Sequence, residues 1–130
     1  MAEGMVYYKT AAKYGEVEQT IEKSRFIGYI KPVQNREEAE AFIAEIRALH
    51  RSATHNVPAY VIGEKSEMQW ASDDKEPSGT AGAPILHLLN GEGITNVAVV
   101  VTRYFGGIKL GTGGLARAYG GTARLALDAA

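Results

Sequence analysis

The sequence has no cysteine in its 130 residues. That excludes a disulfide framework, an iron–sulfur or cysteine–zinc site and a thiol nucleophile, and it fits a reducing cytoplasm, the expected compartment. An excess of one charge is also missing. Fourteen Lys and Arg stand against fifteen Asp and Glu, giving a net charge of −1. Whole-chain charge therefore points to neither a nucleic-acid binder nor a membrane-surface protein, and any basic patch must be local. No apolar run approaches the roughly 18 residues of a membrane span. The opening Met1-Ala2-Glu3-Gly4 lacks the charged-then-apolar pattern of a leader. No Pro/Ser-rich linker divides the chain, and no repeat at a period of about 20–50 residues suggests a solenoid. What is present, 45% hydrophobic and 22% charged residues, is the composition of one ordinary soluble domain.

The first third reads as strands. Glu16–Glu22 sets Val17 and Ile21 on one face, and Arg25–Ile30 is rich in aromatic and β-branched residues before Pro32. Val6–Thr10 is a further strand that pairs with either. A helix begins after Asn35, with Glu38 placed to complete a capping box. Ala39, Phe42, Ile43, Ile46 and Leu49 then form a stripe for burial against a sheet. Two strands, Ala59–Gly63 and Glu67–Ala71, precede a polar loop from Ser72 to Gly82 and a helix from Pro84 to Gly91. Val97–Val101 is an unbroken apolar run, the mark of a strand buried on both faces. The last helix is expected from about Gly114, with Leu115, Ala118, Tyr119, Thr122 and Ala126 inward. Its Gly120-Gly121 pair costs about 1 kcal/mol per residue relative to Ala, tolerable where a close backbone needs small residues. This order predicts an α+β fold, a two-layer sandwich of a mixed sheet with helices on one face.

Three groups of residues bear chemistry. Seven of the fifteen glycines fall between Arg103 and Gly121. There a buried strand, a glycine-rich turn and a helix start follow one another, an arrangement whose free N–H groups can meet an anion. From Val97 to Arg124 the chain has Arg103, Lys109, Arg117 and Arg124 but no acid. Arg103, Tyr104, Lys109, Gly111, Thr112, Gly113, Gly114 and Arg117 are thus the candidate anion- or nucleic-acid-binding residues, with Tyr104 able to stack on bases. The alternative is a structural turn with solvated arginines. Neither enzyme motif here is complete. Gly111–Ala116 matches G-x-G-x-x-A without the strand and acid that must follow, and the P-loop spacing from Gly106 to Gly111 lacks its lysine.

The second group is an acidic loop of Asp73, Asp74, Glu76, Ser78 and Thr80, which either holds Mg²⁺ or is a solvated turn whose Thr80 caps the next helix. The third is histidine. His50 and His55 lack helical zinc-pair spacing, and His55 with Asn56 is expected to hydrogen-bond a loop. No catalytic residue, cofactor or metal is assigned.

Two long motifs carry a resemblance. Ser72–Leu86 and Val99–Tyr119, with Lys23-Ser24-Arg25-Phe26-Ile27 and Ala53-Thr54-His55-Asn56 upstream, resemble the IMPACT/YigZ family from about Lys23 to the end. The resemblance implies a fold like the second domain of a small-subunit ribosomal protein. It also implies one Impact-type N-terminal domain over residues 1–130, without the ferredoxin-like second domain of longer bacterial members. Val57 stands where many relatives carry Cys. Eukaryotic members are associated with translational control. Joined to the basic glycine-rich stretch, this gives as the expected function a translation-linked regulatory module contacting RNA phosphate or another polyanion through the Arg103–Arg117 surface, with RNA or a ribosome-associated protein as partner and no membrane. Two alternatives stay open. One is an enzyme binding a nucleotide or small phosphate, with Asp73, Asp74 and Glu76 placing a metal. The other is a protein-interaction domain needing no anion.

Overall fold

The computed structural model describes residues 9–130. The expected strand at Val6–Thr10 lies mostly outside the described residues, although Lys9 forms an isolated bridge with Ile94. The strands are β1 (Gly15–Ile21), β2 (Ser24–Pro32), β3 (His55–Ile62), β4 (Met68–Ala71) and β5 (Val97–Tyr104). The helices are α1 (Arg36–Leu49), α2 (Gly82–Gly91) and α3 (Gly111–Asp128). The sheet runs β1-β2-β5-β3-β4, and each ladder is antiparallel.

The α+β class is as expected, but the helices lie on both faces of the sheet and its ladders are not mixed. The apolar run of β5 explains why. Because side chains alternate along a strand, Val97, Val99 and Val101 enter one core with Leu115, Tyr119 and Ile85. Ala98 and Val100 enter another with Phe42, Ile43 and Ile46 of α1. A strand apolar on both faces must be covered on both. Here α2 and α3 cover one face and α1 the other.

α1 follows its sequence signal closely. The Asn35 side chain accepts from the Glu38 N–H at 2.8 Å, and the Glu38 carboxylate reaches back one residue further than a simple box, to the Gln34 N–H at 3.1 Å. Leu49, the last member of the stripe, is 65% exposed where the helix leaves the sheet. α3 starts three residues earlier than expected, at Gly111, and Leu115, Ala118, Tyr119, Thr122 and Ala126 are all buried. No close contact requires its glycine pair. A Cβ at Gly120 would sit 3.6 Å from the Pro84 carbonyl, an ordinary contact, and one at Gly121 would meet nothing within 4 Å.

Candidate functional site

The register of β5 separates the two aromatic and basic residues at its end. Arg103 pairs across with Phe26 and His55, so all three share the α3 face. Tyr104 pairs with Arg25 on the α1 face. Arg103 is accordingly not part of an exposed patch. It is 4% exposed, and its Nη1 donates to the Glu76 Oε2 at 2.8 Å. The same carboxylate oxygen accepts a short hydrogen bond from the Tyr119 hydroxyl, and the Arg103 Nε donates to the Ser24 Oγ at 3.3 Å. Burial, then the neighbouring Glu76 charge, drives the Tyr119 hydroxyl far above its ordinary pKa, so it remains a donor. His55 completes the cluster, with its Nε2 3.4 Å from the Glu76 Oε1.

The acidic loop divides its labour. Asp73 accepts from the N–H groups of Gly79, Ala81 and Gly82 and so caps α2 from nine residues upstream. Thr80 does not cap this helix, because its hydroxyl donates to the Pro77 carbonyl instead. Burial raises the Asp73 pKa, but the three backbone donors outweigh it and hold the carboxyl below its usual range. Asp74 accepts from the Asn56 N–H at 2.7 Å, Glu76 pairs with Arg103, and Ser78 is exposed. The three carboxylates therefore do not converge on a metal. Among the described residues no group of three His, Asp or Glu side chains is arranged to hold one.

His55 and Asn56 tie this loop to the sheet. The His55 Nδ1 meets the Asp74 carbonyl at 2.8 Å, and the Asn56 side chain links the His50 carbonyl to the Thr102 hydroxyl. On the opposite face His50 lies between two hydroxyls, with Tyr29 at its Nε2 and Tyr104 at its Nδ1, at 2.5 and 2.6 Å. Arg25 sits over the Tyr104 ring at 5.1 Å. Burial first, then Arg25, lowers the His50 pKa, and burial pushes the Tyr29 hydroxyl up to about 12.

The glycine loop owes its course to two positions. At Gly106 a Cβ would lie 1.9 Å from the Lys23 carbonyl, so the loop crosses the β1–β2 turn only without a side chain. Gly111 has φ +75°, a left-handed conformation that opens α3 without strain. The expected anion residues now divide by location. Lys109, Gly111, Thr112, Gly113 and Arg117 are exposed beside one another at the loop and the first turns of α3, and Gly114 is half-buried there. Arg103 lies beneath them, and Tyr104 is across the sheet. Phe105, 46% exposed, occupies the position expected of Tyr104. Among the described residues neither Lys109 nor Arg117 forms an ion pair, whereas Arg103 pairs with Glu76 and Arg124 with Glu92.

Comparisons with known proteins agree with this architecture. The family model of the Impact N-terminal domain matches residues 22–127. The IMPACT family member YvyE of Bacillus subtilis is 55% identical over 113 residues, covering 87% of this chain and 52% of its own length. The family member YigZ of Escherichia coli is 47% identical, covering 85% and 55%. Protein IMPACT of Mus musculus is 35% identical, covering 71% and 30%. The chain thus spans about half the length of its bacterial relatives. A crystal structure of a hypothetical protein superposes with a TM-score of 0.90 at 44% identity, over 95% of this chain and 61% of that one. The two-domain translational regulator Yih1 shares the fold, with a TM-score of 0.57 at 22% identity over 99% of this chain and 50% of its own. With the glycine loop, the acidic loop and four of the five strands inside the matched segment, the chain belongs to the IMPACT family through its Impact N-terminal domain.

Proposed function

We propose that this chain is a translation-linked regulatory domain that contacts RNA phosphate, or a related polyanion, through the surface around Lys109 and Arg117. One observation carries the reading. The two exposed cations beside the glycine loop lack a carboxylate partner among the described residues, while Arg103 and Arg124 are neutralised within the domain. Unpaired cations on a surface of matched overall charge form a local anion-binding footprint. Support for the translational setting comes from the family and from Yih1, described as a translational regulator, whose fold this chain shares. On this reading the domain acts in the cytoplasm with RNA or a ribosome-associated protein as partner.

The test is single-stranded RNA binding across a salt series. Log affinity falls by about 0.7 per decade of salt for each phosphate neutralised, and Lys109→Ala or Arg117→Ala shallows the slope by roughly that amount. Salt-insensitive or undetectable binding overturns the proposal. A second reading, docking of a protein partner without an anion, is favoured by an open groove of about 560 Å³ between α2 and α3, flanked by His87 and Arg117.

A further inference from the structure

Beneath the glycine loop lies a cavity of about 380 Å³. His55, Glu76 and Arg103 form its buried end, Leu110 and Phe105 its apolar side, and Lys109 its outer lip. The volume is at the small end of the roughly 300–1,000 Å³ usual for ligand pockets. It has the size of a site for a small ligand such as one nucleotide unit.

The donors that line the cavity follow from its hydrogen bonds. The Asp74 carbonyl can only accept, so the His55 Nδ1 carries the hydrogen between them. The His55 Nε2 then faces the Glu76 Oε1 at 3.4 Å, while the other oxygen of Glu76 is engaged by Arg103 and Tyr119. Two cations, Arg103 and Lys109, then face the single Glu76 carboxylate, a surplus of one positive charge beside the His55 ring. That surplus suits an anion, and a phosphomonoester, which ends a chain, can enter a cavity with one buried end, whereas an internal phosphodiester continues on both sides. The apolar side offers a surface for a base. Arg103 lies over the Phe105 ring at 5.3 Å, yet the ring stays half exposed, a platform of the kind on which bases stack.

We infer that this cavity binds a mononucleotide unit, its phosphomonoester between His55 and Lys109 and its base against Phe105. Either a free mononucleotide or the 5′-phosphorylated end of an RNA supplies that chemistry. The inference shares Lys109 with the polyanion reading but does not depend on it.

Calorimetric titration of the full chain tests it with adenosine 5′-monophosphate, adenosine, and two ribo-oligomers differing only in a 5′-phosphate. The monophosphate is expected to bind at least tenfold more tightly than adenosine. Phe105→Ala weakens it by about 5- to 100-fold, the loss of one stacked base, and Lys109→Ala weakens it severalfold. Both residues are exposed, so their replacement leaves the core intact. Preference for the 5′-phosphorylated oligomer identifies an RNA end as the ligand; equal oligomer binding beside tight monophosphate binding identifies a free nucleotide. No monophosphate binding at millimolar concentration overturns the inference, and if the 5′-hydroxyl oligomer still binds, the polyanion reading survives alone. Monophosphate binding unchanged in both variants also overturns it. Monophosphate binding without any oligomer binding removes only the polyanion reading.

Discussion

The two faces of the sheet end, at the same edge of β5, in two histidine clusters of opposite character. On the α1 face His50 sits between the hydroxyls of Tyr29 and Tyr104, and a neutral ring satisfies both by donating to one and accepting from the other. On the α3 face His55 stands beside Glu76, which is bound by Arg103 and Tyr119. Both clusters are secluded, but one is organised around neutrality and the other around charge. The neutral cluster closes the end of α1. The charged one opens onto a cavity under the glycine loop. Residues 103 and 104 are adjacent in sequence, and the alternation of a strand sends one to each cluster.

The comparison is broken most severely at Glu76. Glu76→Leu leaves the Arg103 guanidinium buried without its carboxylate and is expected to cost about 3–5 kcal/mol, measured by denaturant unfolding. Glu76→Leu combined with Arg103→Met removes both charges and should recover most of that loss. A double variant as unstable as the single one would show that the pair is not the source. Next in size is Tyr119→Phe, which takes one donor from the buried Glu76 and should cost about 1–3 kcal/mol. An unchanged denaturation midpoint would show that the hydroxyl adds nothing to the cluster.

The smallest effect sharpens the neutral side. Because burial lowers the His50 pKa in the folded state, the unfolded chain takes up the proton more readily. The stability contributed by the neutral ring is therefore fully present above the unfolded value of about 6.5. It is lost as pH falls through the lower folded value. A thermal series between pH 7.5 and 5 should show a shallow decline that is reduced in His50→Gln. Equal slopes in the two proteins would remove His50 from the explanation.

Features carried by local sequence were legible before the structure. The Asn35 cap and the stripe of α1 lie within a few turns of each other, and the apolar run of β5 announces burial on both faces. Features set by distant pairing were not. Arg103 stands in a stretch without acids, and only folding brings Glu76 to it across 27 residues. Its inward direction depends on strand parity, where a shift of one residue exchanges the faces. Local sequence points to Thr80, beside the helix, as the cap of α2, but Asp73 reaches it by closing a loop. Phe105 is visible as an aromatic beside glycines, yet its exposure comes from standing just past the end of β5, while parity turns Tyr104 to the α1 face. Covering both faces is implicit in β5 itself, whose alternate residues enter the two cores.

The order of the sheet also governs how the domain comes into being as it is synthesised. β1 with β2 and β3 with β4 form two hairpins that share no ladder; β5, the last strand of the sheet, is the one that pairs with both. An isolated hairpin is marginal in water, and α1 has little surface to cover until β5 lies beside β3. A growing chain that emerges at about 5–20 residues per second thus accumulates several seconds of polypeptide with its central join still to come. Tyr104 must clear the exit before the core under α1 closes, and α3 before the other one does. Assembly is consequently concentrated at the end of translation of this domain, and a nascent chain halted before β5 exposes the apolar stripe of α1 to chaperones and proteases.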